Sequence, residues 1–230
     1  MSISCIDVRQ RLNDMADSII YAKRVVGEPK SLLLVGGDKN QPFYKSVIRA
    51  AKNAGVVQVD YAQELGDTAY LGYNGILFDT SIKLPKYDLG LISGEQDIDC
   101  LTKNSKHLSS CVAAACWCVL NQLDLLEGKH VAIIGRGHAA RGLDKLCMRE
   151  NATVTILHSH TPAIVTEMLT NPNYMPDVVI NTAPNLEGKR LPAKRLIIDV
   201  SGAYSSSYFG EAPVFTGIGP LTAALVIGRL

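Results

Sequence analysis

The chain lacks the marks of several functional classes. With 23 Lys+Arg against 22 Asp+Glu in 230 residues, its net charge is +1, which leaves no basic footprint for nucleic acid or for an anionic membrane surface. No apolar run reaches the ~20 residues of a bilayer-spanning helix. The opening Met1-Ser-Ile-Ser-Cys-Ile-Asp-Val-Arg9 has no signal-peptide core. The expectation is therefore a cytoplasmic protein with no nucleic-acid and no membrane partner. Solenoid repeats and low-complexity tracts are absent too. The six cysteines, at 5, 100, 111, 116, 118 and 147, have neither the paired spacing of a zinc site nor that of a redox dithiol. An iron–sulfur set that adds His107 and Cys100 can be drawn. Reduced thiols packed as small hydrophobes suit the Ala-rich helical stretch better, and no metal is expected.

What is present is core material: 47% hydrophobic and 20% charged residues, with no sign of disorder. The length predicts one large or two small domains. Leu12, Met15, Ile19 and Ala22 repeat at helical spacing within a helix over 9–26 that Pro29 stops. Ser31-Leu-Leu-Leu-Val35 is a continuous apolar run of parallel-strand type, followed by the loop Gly36–Pro42 and a helix from Phe43 to Ala54 closed by Gly55. Further strands are predicted over 56–61, 75–78, 131–134, 153–157, 177–181 and 195–200. Helices are predicted over 109–123, 163–169 and 221–230, while 62–74 is too short for a full crossover helix. Alternating strands and helices give the α/β class: two α/β lobes around a cleft. Residues 1–118 form the first lobe, rejoined by a C-terminal helix over 219–230. Residues 119–214 form a Rossmann-type lobe with a mostly parallel sheet.

The most telling stretch is Gly128-Lys-His-Val-Ala-Ile-Ile-Gly-Arg-Gly-His-Ala-Ala-Arg-Gly142, then Thr153-Val-Thr-Ile-Leu157. An apolar strand, a glycine-rich turn, an amphipathic helix and a second strand make one βαβ unit, the architecture of a dinucleotide site. Gly135 and Gly137 would form the tight turn and admit phosphate, while Gly142 would let the helix pack on the sheet. The alternative is a strand–turn–helix with no ligand. Sites for NAD carry an acid at the end of the second strand. Here His158-Ser-His-Thr161 has none, whereas Arg136 and Ser159 suit a ribose phosphate. NADP is favoured over NAD. His138, His158, Thr182 and Ala183 complete the candidate cofactor set, with His160 read as a surface imidazole.

The order of features resembles the methylenetetrahydrofolate dehydrogenase/cyclohydrolase family. Pro213-Val-Phe-Thr-Gly-Ile-Gly-Pro-Leu-Thr222 matches most of that family's Pro-Val-Pro-Gly-Gly-Val-Gly-Pro-Met-Thr signature. Gly128–Arg136 and Asn151–Thr161 resemble its cofactor strands. Leu34-Val-Gly-Gly-Asp38, Ile48–Val56, Gly75-Ile-Leu-Phe78 and Asp97-Ile-Asp-Cys100 echo its folate side. The resemblance implies a homodimer acting on a tetrahydrofolate derivative, phosphate contacts from Arg136 and Ser159, a pterin-binding role for Asp99, and a backbone wall at Gly217, Ile218 and Gly219. The bland reading of Asp99 is a turn-capping aspartate, and that of 217–219 a helix-entry turn.

Departures from the family pattern matter as much. Its Tyr-x-x-x-Lys falls on Phe43 and Val47 in one register, or on Tyr44 and Ile48 in the other, so neither supplies the lysine. Lys45 and Lys52 lie on other faces of that helix. The family's Gln-Leu-Pro is Asp79-Thr-Ser81 here, and its Thr-Pro is Cys111-Val112. Asp79 is either a polar substitute for the glutamine or a solvated loop residue. Cyclohydrolysis needs a group that moves a proton, which valine or isoleucine cannot supply. Hydride transfer needs mainly positioning. The expectation is an NADP-dependent methylenetetrahydrofolate dehydrogenase-like oxidoreductase of one-carbon metabolism without cyclohydrolase activity. Its candidate catalytic residues are Asp99, Tyr44 and Asp79, with Phe43, Asp99, Gly217 and Ile218 at the substrate. Two alternatives stay open. One is a dehydrogenase with a changed substrate, since Gly137-His-Ala-Ala-Arg-Gly142 and Val178-Val-Ile-Asn-Thr-Ala183 look like shikimate dehydrogenases. The other is a non-catalytic nucleotide-binding regulatory protein.

Overall fold

Two separate parallel sheets take up the apolar runs. The structure, a computed structural model, describes residues 5–26, 29–55, 58–65, 70–80, 88–184, 190–204 and 208–230. Two compact units result: Leu12–Cys111 with Gly219–Leu230, and Met1–Arg11 with Val112–Ile218. Helices α1 (Cys5–Val26) and α3 (Cys111–Gln122) contribute residues to both.

In the unit built on Leu12–Cys111, β1 (Ser31–Val35) is central and pairs in parallel with β2 (Gln58–Ala62) and β3 (Gly75–Phe78). All five β1 residues are buried, which is why the strand reads as an unbroken apolar run rather than an alternating one. Leu32 and Leu34 face one way, towards α2 (Pro42–Asn53) and α6 (Gly219–Gly228). Leu33 and Val35 face the other, with Ile76, Phe78, Leu65 and Ile92. Pro42 starts α2, where its missing N–H costs no helical bond. Gly55, at φ +73°, ends it. The inward stripe of α2 is Tyr44, Val47, Ala50 and Ala51. Helix α6 is apolar on every face because nearly every face is covered.

The other unit carries six strands in the order β5-β4-β6-β7-β9-β8. Strands β4 (His130–Ile134), β5 (Thr153–Leu157), β6 (Val178–Asn181), β7 (Leu196–Asp199) and β9 (Ala212–Phe215) are parallel, and β8 (Tyr208–Phe209) returns antiparallel to β9. Between them lie α4 (Leu143–Arg149) and α5 (Ala163–Thr170).

The mixed α/β architecture is as expected, with boundaries shifted by a few residues. The exception is β9, where no strand was predicted from the sequence. Proline is tolerated there because the ladder with β7 begins only at Val214, so no parallel bond needs its N–H. No helix occurs among the described residues of 62–74, and no helix among the described residues is long and apolar enough to cross a membrane. Residues 56–57 of the expected second strand and Ser81 lie outside the described residues.

The burial of α2 separates the two candidate lysine positions. Val47 is 0% exposed and Ile48 39%. Val47→Lys is expected to destabilise its unit by about 3–5 kcal/mol, the cost of an uncompensated buried charge. Ile48→Lys should stay within about 0.5 kcal/mol of the parent. Urea unfolding of both variants checks the ordering.

Candidate functional site

Strand β4 leaves its sheet in one direction towards β5 and has β6 on its other side. The carboxyl end of β4 is therefore a topological switch point, the place where open α/β sheets bind ligands. The strand ends are level there, Ile134 pairing with both Leu157 and Asn181. Gly135–His138, His158–Ser159 and Thr182–Ala183 consequently emerge side by side. Gly135 has φ +106°, and a Cβ on it would lie 2.4 Å from Thr182 Oγ1. Thr182 is fixed in turn, since both its N–H and its Oγ1 donate to the Ile134 carbonyl at 2.9 Å. Gly137 is exposed, and nothing lies within 4 Å of where its Cβ would be. The turn is thus tight at Gly135 and open at Gly137.

The turn then makes a short 3-10 segment, His138–Ala140, before α4 starts at Leu143. This corrects the role expected of Gly142. It sits at φ +78° as the N-cap of α4, so its glycine serves backbone conformation. The buried position three residues after Gly137 belongs to Ala140. Charge around the turn is of one sign. Arg136 and Arg141 are exposed, His138 and His158 half-buried, and neither 135–142 nor 158–161 contains a carboxylate. The turn after β5 is closed by the His158 N–H donating to Thr161 Oγ1 at 2.8 Å and the His160 N–H to His158 Nδ1 at 3.2 Å. The second bond places the His158 proton on Nε2.

Sequence reasoning passed over the support beneath this site. Asn181 and Asp199, the polar residues that close β6 and β7, are buried. Asn181 Nδ2 donates to Asp199 Oδ1 at 2.8 Å and to Ser201 Oγ at 2.7 Å, while Asn181 Oδ1 accepts the Ala183 N–H at 3.1 Å. Asp199 Oδ2 accepts the Tyr204 N–H at 2.8 Å. The signal was available: a single amide or carboxylate ending an otherwise apolar strand is costly unless it is bonded.

The unit built on Leu12–Cys111 has a switch point of its own, at the end of β1 between β2 and β3. Gly36 and Gly37 leave β1 at φ +79° and +64°. Asp79, just past β3, packs so closely on Gly37 that a Cβ there would lie 1.8 Å from its Oδ2. Gln41 Nε2 donates to that oxygen at 3.2 Å. Tyr61 donates its hydroxyl to the Gly37 carbonyl. Gly37 was read from sequence only as part of the Leu34–Asp38 motif, and no site role was expected of Gln41 or Tyr61. Phe43 is half-buried, its ring 6.4 Å from that of Tyr44.

Tyr44 does not fit the catalytic role expected of it. It is 0% exposed, its hydroxyl donates to the Val35 carbonyl at 3.0 Å, and burial raises its pKa well above the usual phenol range, the nearby Asp79 adding to this. Asp99 is half-buried, and its Oδ1 accepts the Cys111 N–H at 2.6 Å, capping α3. The capping role is therefore real, whatever else this carboxylate does. Ile218 is buried, leaving only its backbone to form a wall. Gly217 lies against the Phe215 ring, where a Cβ would come within 2.8 Å.

The described cysteines are free, and four of them, Cys100, Cys111, Cys116 and Cys147, are buried. Burial pushes the Cys147 thiol up to about 12. Among the described residues no group of three or more His, Cys, Asp or Glu could hold a metal ion. A hollow of about 490 Å³ beside Lys129, His130 and Tyr174 lies at the amino ends of β4 and β5, the opposite end of that sheet from its switch point.

No family model matches the chain. It is 27% identical to the bifunctional protein FolD of Staphylococcus epidermidis, over 97% of this chain and 91% of that protein. Its fold is similar to that of the methylenetetrahydrofolate dehydrogenase/cyclohydrolase FolD of Campylobacter jejuni, with TM-score 0.73, 17% identity, and 97% and 94% of the two chains covered. It is also similar to the NAD-dependent 5,10-methylenetetrahydrofolate dehydrogenase of Saccharomyces cerevisiae, with TM-score 0.72, 15% identity, and 99% and 95% covered. A Trypanosoma brucei dehydrogenase-cyclohydrolase, solved with NADP cofactor and inhibitor, gives TM-score 0.65 at 20% identity over 100% and 95%.

Two outcomes follow from this geometry. Gly135→Ala, strained at φ +106° and colliding with Thr182, should cost about 2 kcal/mol of stability. Gly137→Ala should melt like the parent yet weaken dinucleotide binding by about tenfold or more, as read by calorimetric titration. The second concerns His107, whose pKa is lowered to about 4, first by desolvation and then by Arg229 and Lys106. Its Nε2 is buried without a hydrogen-bond partner. The unfolded chain therefore binds a proton that the folded chain refuses between its unfolded pKa of about 6.5 and the folded value. Stability contributed above pH ~6.5 is lost as the pH falls through this window. Melting curves for His107→Gln should fall less steeply there than the parent's.

Proposed function

We infer that this chain, which belongs to the methylenetetrahydrofolate dehydrogenase/cyclohydrolase family, is an NADP-dependent methylenetetrahydrofolate dehydrogenase that lacks cyclohydrolase activity. The observation that carries the cofactor half is the switch point of the six-stranded sheet. A glycine turn open at Gly137 lies there between Arg136 and Ser159, with no acid at the end of β5. An adenine-side ribose needs a carboxylate when its hydroxyls are free and positive donors when it is phosphorylated. Gly135–His138 would hold the pyrophosphate, Arg136 and Ser159 the ribose phosphate, and Thr182–Ala183 the wall towards the nicotinamide. The bound nicotinamide supplies the hydride acceptor, and the protein's task is to orient the two reactants and exclude water.

The loss of cyclohydrolase activity rests on α2. Its inward face offers Tyr44, Val47, Ala50 and Ala51. Lys45 and Lys52 are exposed, so no amine of this helix reaches inward to move a proton.

The test mixes the protein with NADP or NAD and methylenetetrahydrofolate, follows nicotinamide absorbance, and measures methenyltetrahydrofolate decay separately. Reduction that prefers NADP, without accelerated decay, is the expected result. Arg136→Ala should lower the NADP-over-NAD preference by about tenfold. Cofactor binding with no folate turnover would overturn this in favour of a changed substrate or a regulatory role.

A further inference from the structure

We propose that the hollow beside His130 is a second small-molecule site, separate from the dinucleotide turn, and that its ligand is an aromatic carboxylate. Its volume of about 490 Å³ suits a ligand of one or two rings. Every residue that lines it belongs to the unit that contains Val112–Ile218. The hollow exists because α5 is shorter than the strands it covers. Eight residues of helix reach about 12 Å, and five residues of strand about 16 Å. His130, Ala132 and Ile134 of β4 share one sheet face with Thr153, Thr155 and Leu157 of β5, their partners in register. At the carboxyl end that face is apolar, where Ala132, Ile134 and Leu157 pack with Leu169 of α5. At the amino end it turns polar, and the hollow opens there over His130, Thr153 and Thr155.

Each wall suits a different part of such a ligand. Val165, Met168 and Leu169 give an apolar side, with Met168 50% and Tyr174 57% exposed. Thioether and phenol groups are favourable neighbours for an aromatic ring. The floor offers hydrogen bonds. His130 Nε2 lies 2.9 Å from Thr155 Oγ1, and burial holds this imidazole below its ordinary range, with Asp177 opposing and Lys194 adding to the effect. The ring is therefore neutral at neutral pH. Lys129 and Lys194 border the hollow, and among the described residues that line it the one acid is Asp177. Asp177 is already engaged: its Oδ1 lies 3.5 Å from Arg195 Nε, and its Oδ2 accepts the His130 N–H at 3.0 Å. Its charge is matched by Arg195, so the two ammonium groups leave the hollow positive and suited to a carboxylate. A hydrocarbon would leave the polar floor unpaired, and a cation would meet the lysines.

The test uses 2-naphthoate as probe and 2-naphthamide as its uncharged counterpart, in NMR titrations of the full chain with and without saturating NADP. The naphthoate should bind with a dissociation constant of about 0.1–1 mM. It should bind about tenfold more tightly than the amide, and NADP should leave its affinity unchanged. Lys194→Gln should weaken it by about three- to tenfold. Met168→Glu, which sets a negative charge against the apolar side, should weaken it by about tenfold or more and melt like the parent. Lys145→Gln, an exposed lysine of α4 outside the hollow, should bind like the parent. If Met168→Glu melts early, Thr153→Glu takes its place, at an exposed position of β5 that also lines the hollow. The proposal would be overturned by no binding up to about 10 mM, by equal affinity for acid and amide, or by displacement with NADP. Parent-like affinity in both Lys194→Gln and the glutamate variant would overturn it as well.

Discussion

In both units the strand at the switch point runs into a glycine whose missing side chain admits a polar group from just past the neighbouring strand. Gly37 receives the Asp79 carboxylate, and Gly135 receives the Thr182 hydroxyl. Parallel strands run out together at one edge of a sheet, and where the connections part to opposite sides a crevice is left between them. Whether anything can lie in that crevice depends on how far side chains of the central strand protrude into it. At both positions the backbone is in a conformation that glycine adopts without strain, and a Cβ would overlap its neighbour. The chemistry available at each switch point therefore follows from backbone geometry before any charged residue is considered.

The two crevices are stiffened differently. Below Thr182–Ala183 the support is polar and buried. Asn181 spans from the Ala183 N–H to Asp199, and Asp199 reaches on to Ser201 and Tyr204. A half-satisfied network of this kind would cost more than an apolar replacement, so its value lies in fixing one backbone path. Below Asp79 the support is Tyr61 on the Gly37 carbonyl and Tyr44 on the Val35 carbonyl. Both tyrosines brace β1 and its exit with their hydroxyls while their rings pack edge to face, 6.5 Å apart. Removing either hydroxyl would leave a backbone carbonyl short of a donor.

Much of this was legible in the sequence, for a physical reason. The strands β1, β4, β6 and β7 are buried on both faces and show as uninterrupted apolar runs, each bounded by glycine or a polar residue. The glycine turn after β4 could be placed because a strand and a helix bracket it. What escaped depends on tertiary pairing. Strand β9 contains Pro213 and is a strand only because β7 and β8 flank it. The orientation of α2 was ambiguous because Phe43, Tyr44, Val47 and Ile48 are all apolar, and only packing against Leu32, Leu34 and α6 turns Tyr44 and Val47 inward. Asp99 was expected at the pterin through the family resemblance, with a turn-capping aspartate as the alternative, and only the folded chain shows its carboxylate accepting the first amide of α3.

The missing lysine is best understood through the packing of α2. A lysine at position 47 would carry its charge into the apolar core that α2 forms with β1 and α6, where burying an uncompensated charge is costly. With Val47 in the core instead, α2 gains apolar burial against β1 and α6. The cost falls on the reaction that needs a proton moved, since no group on that helix face can move one.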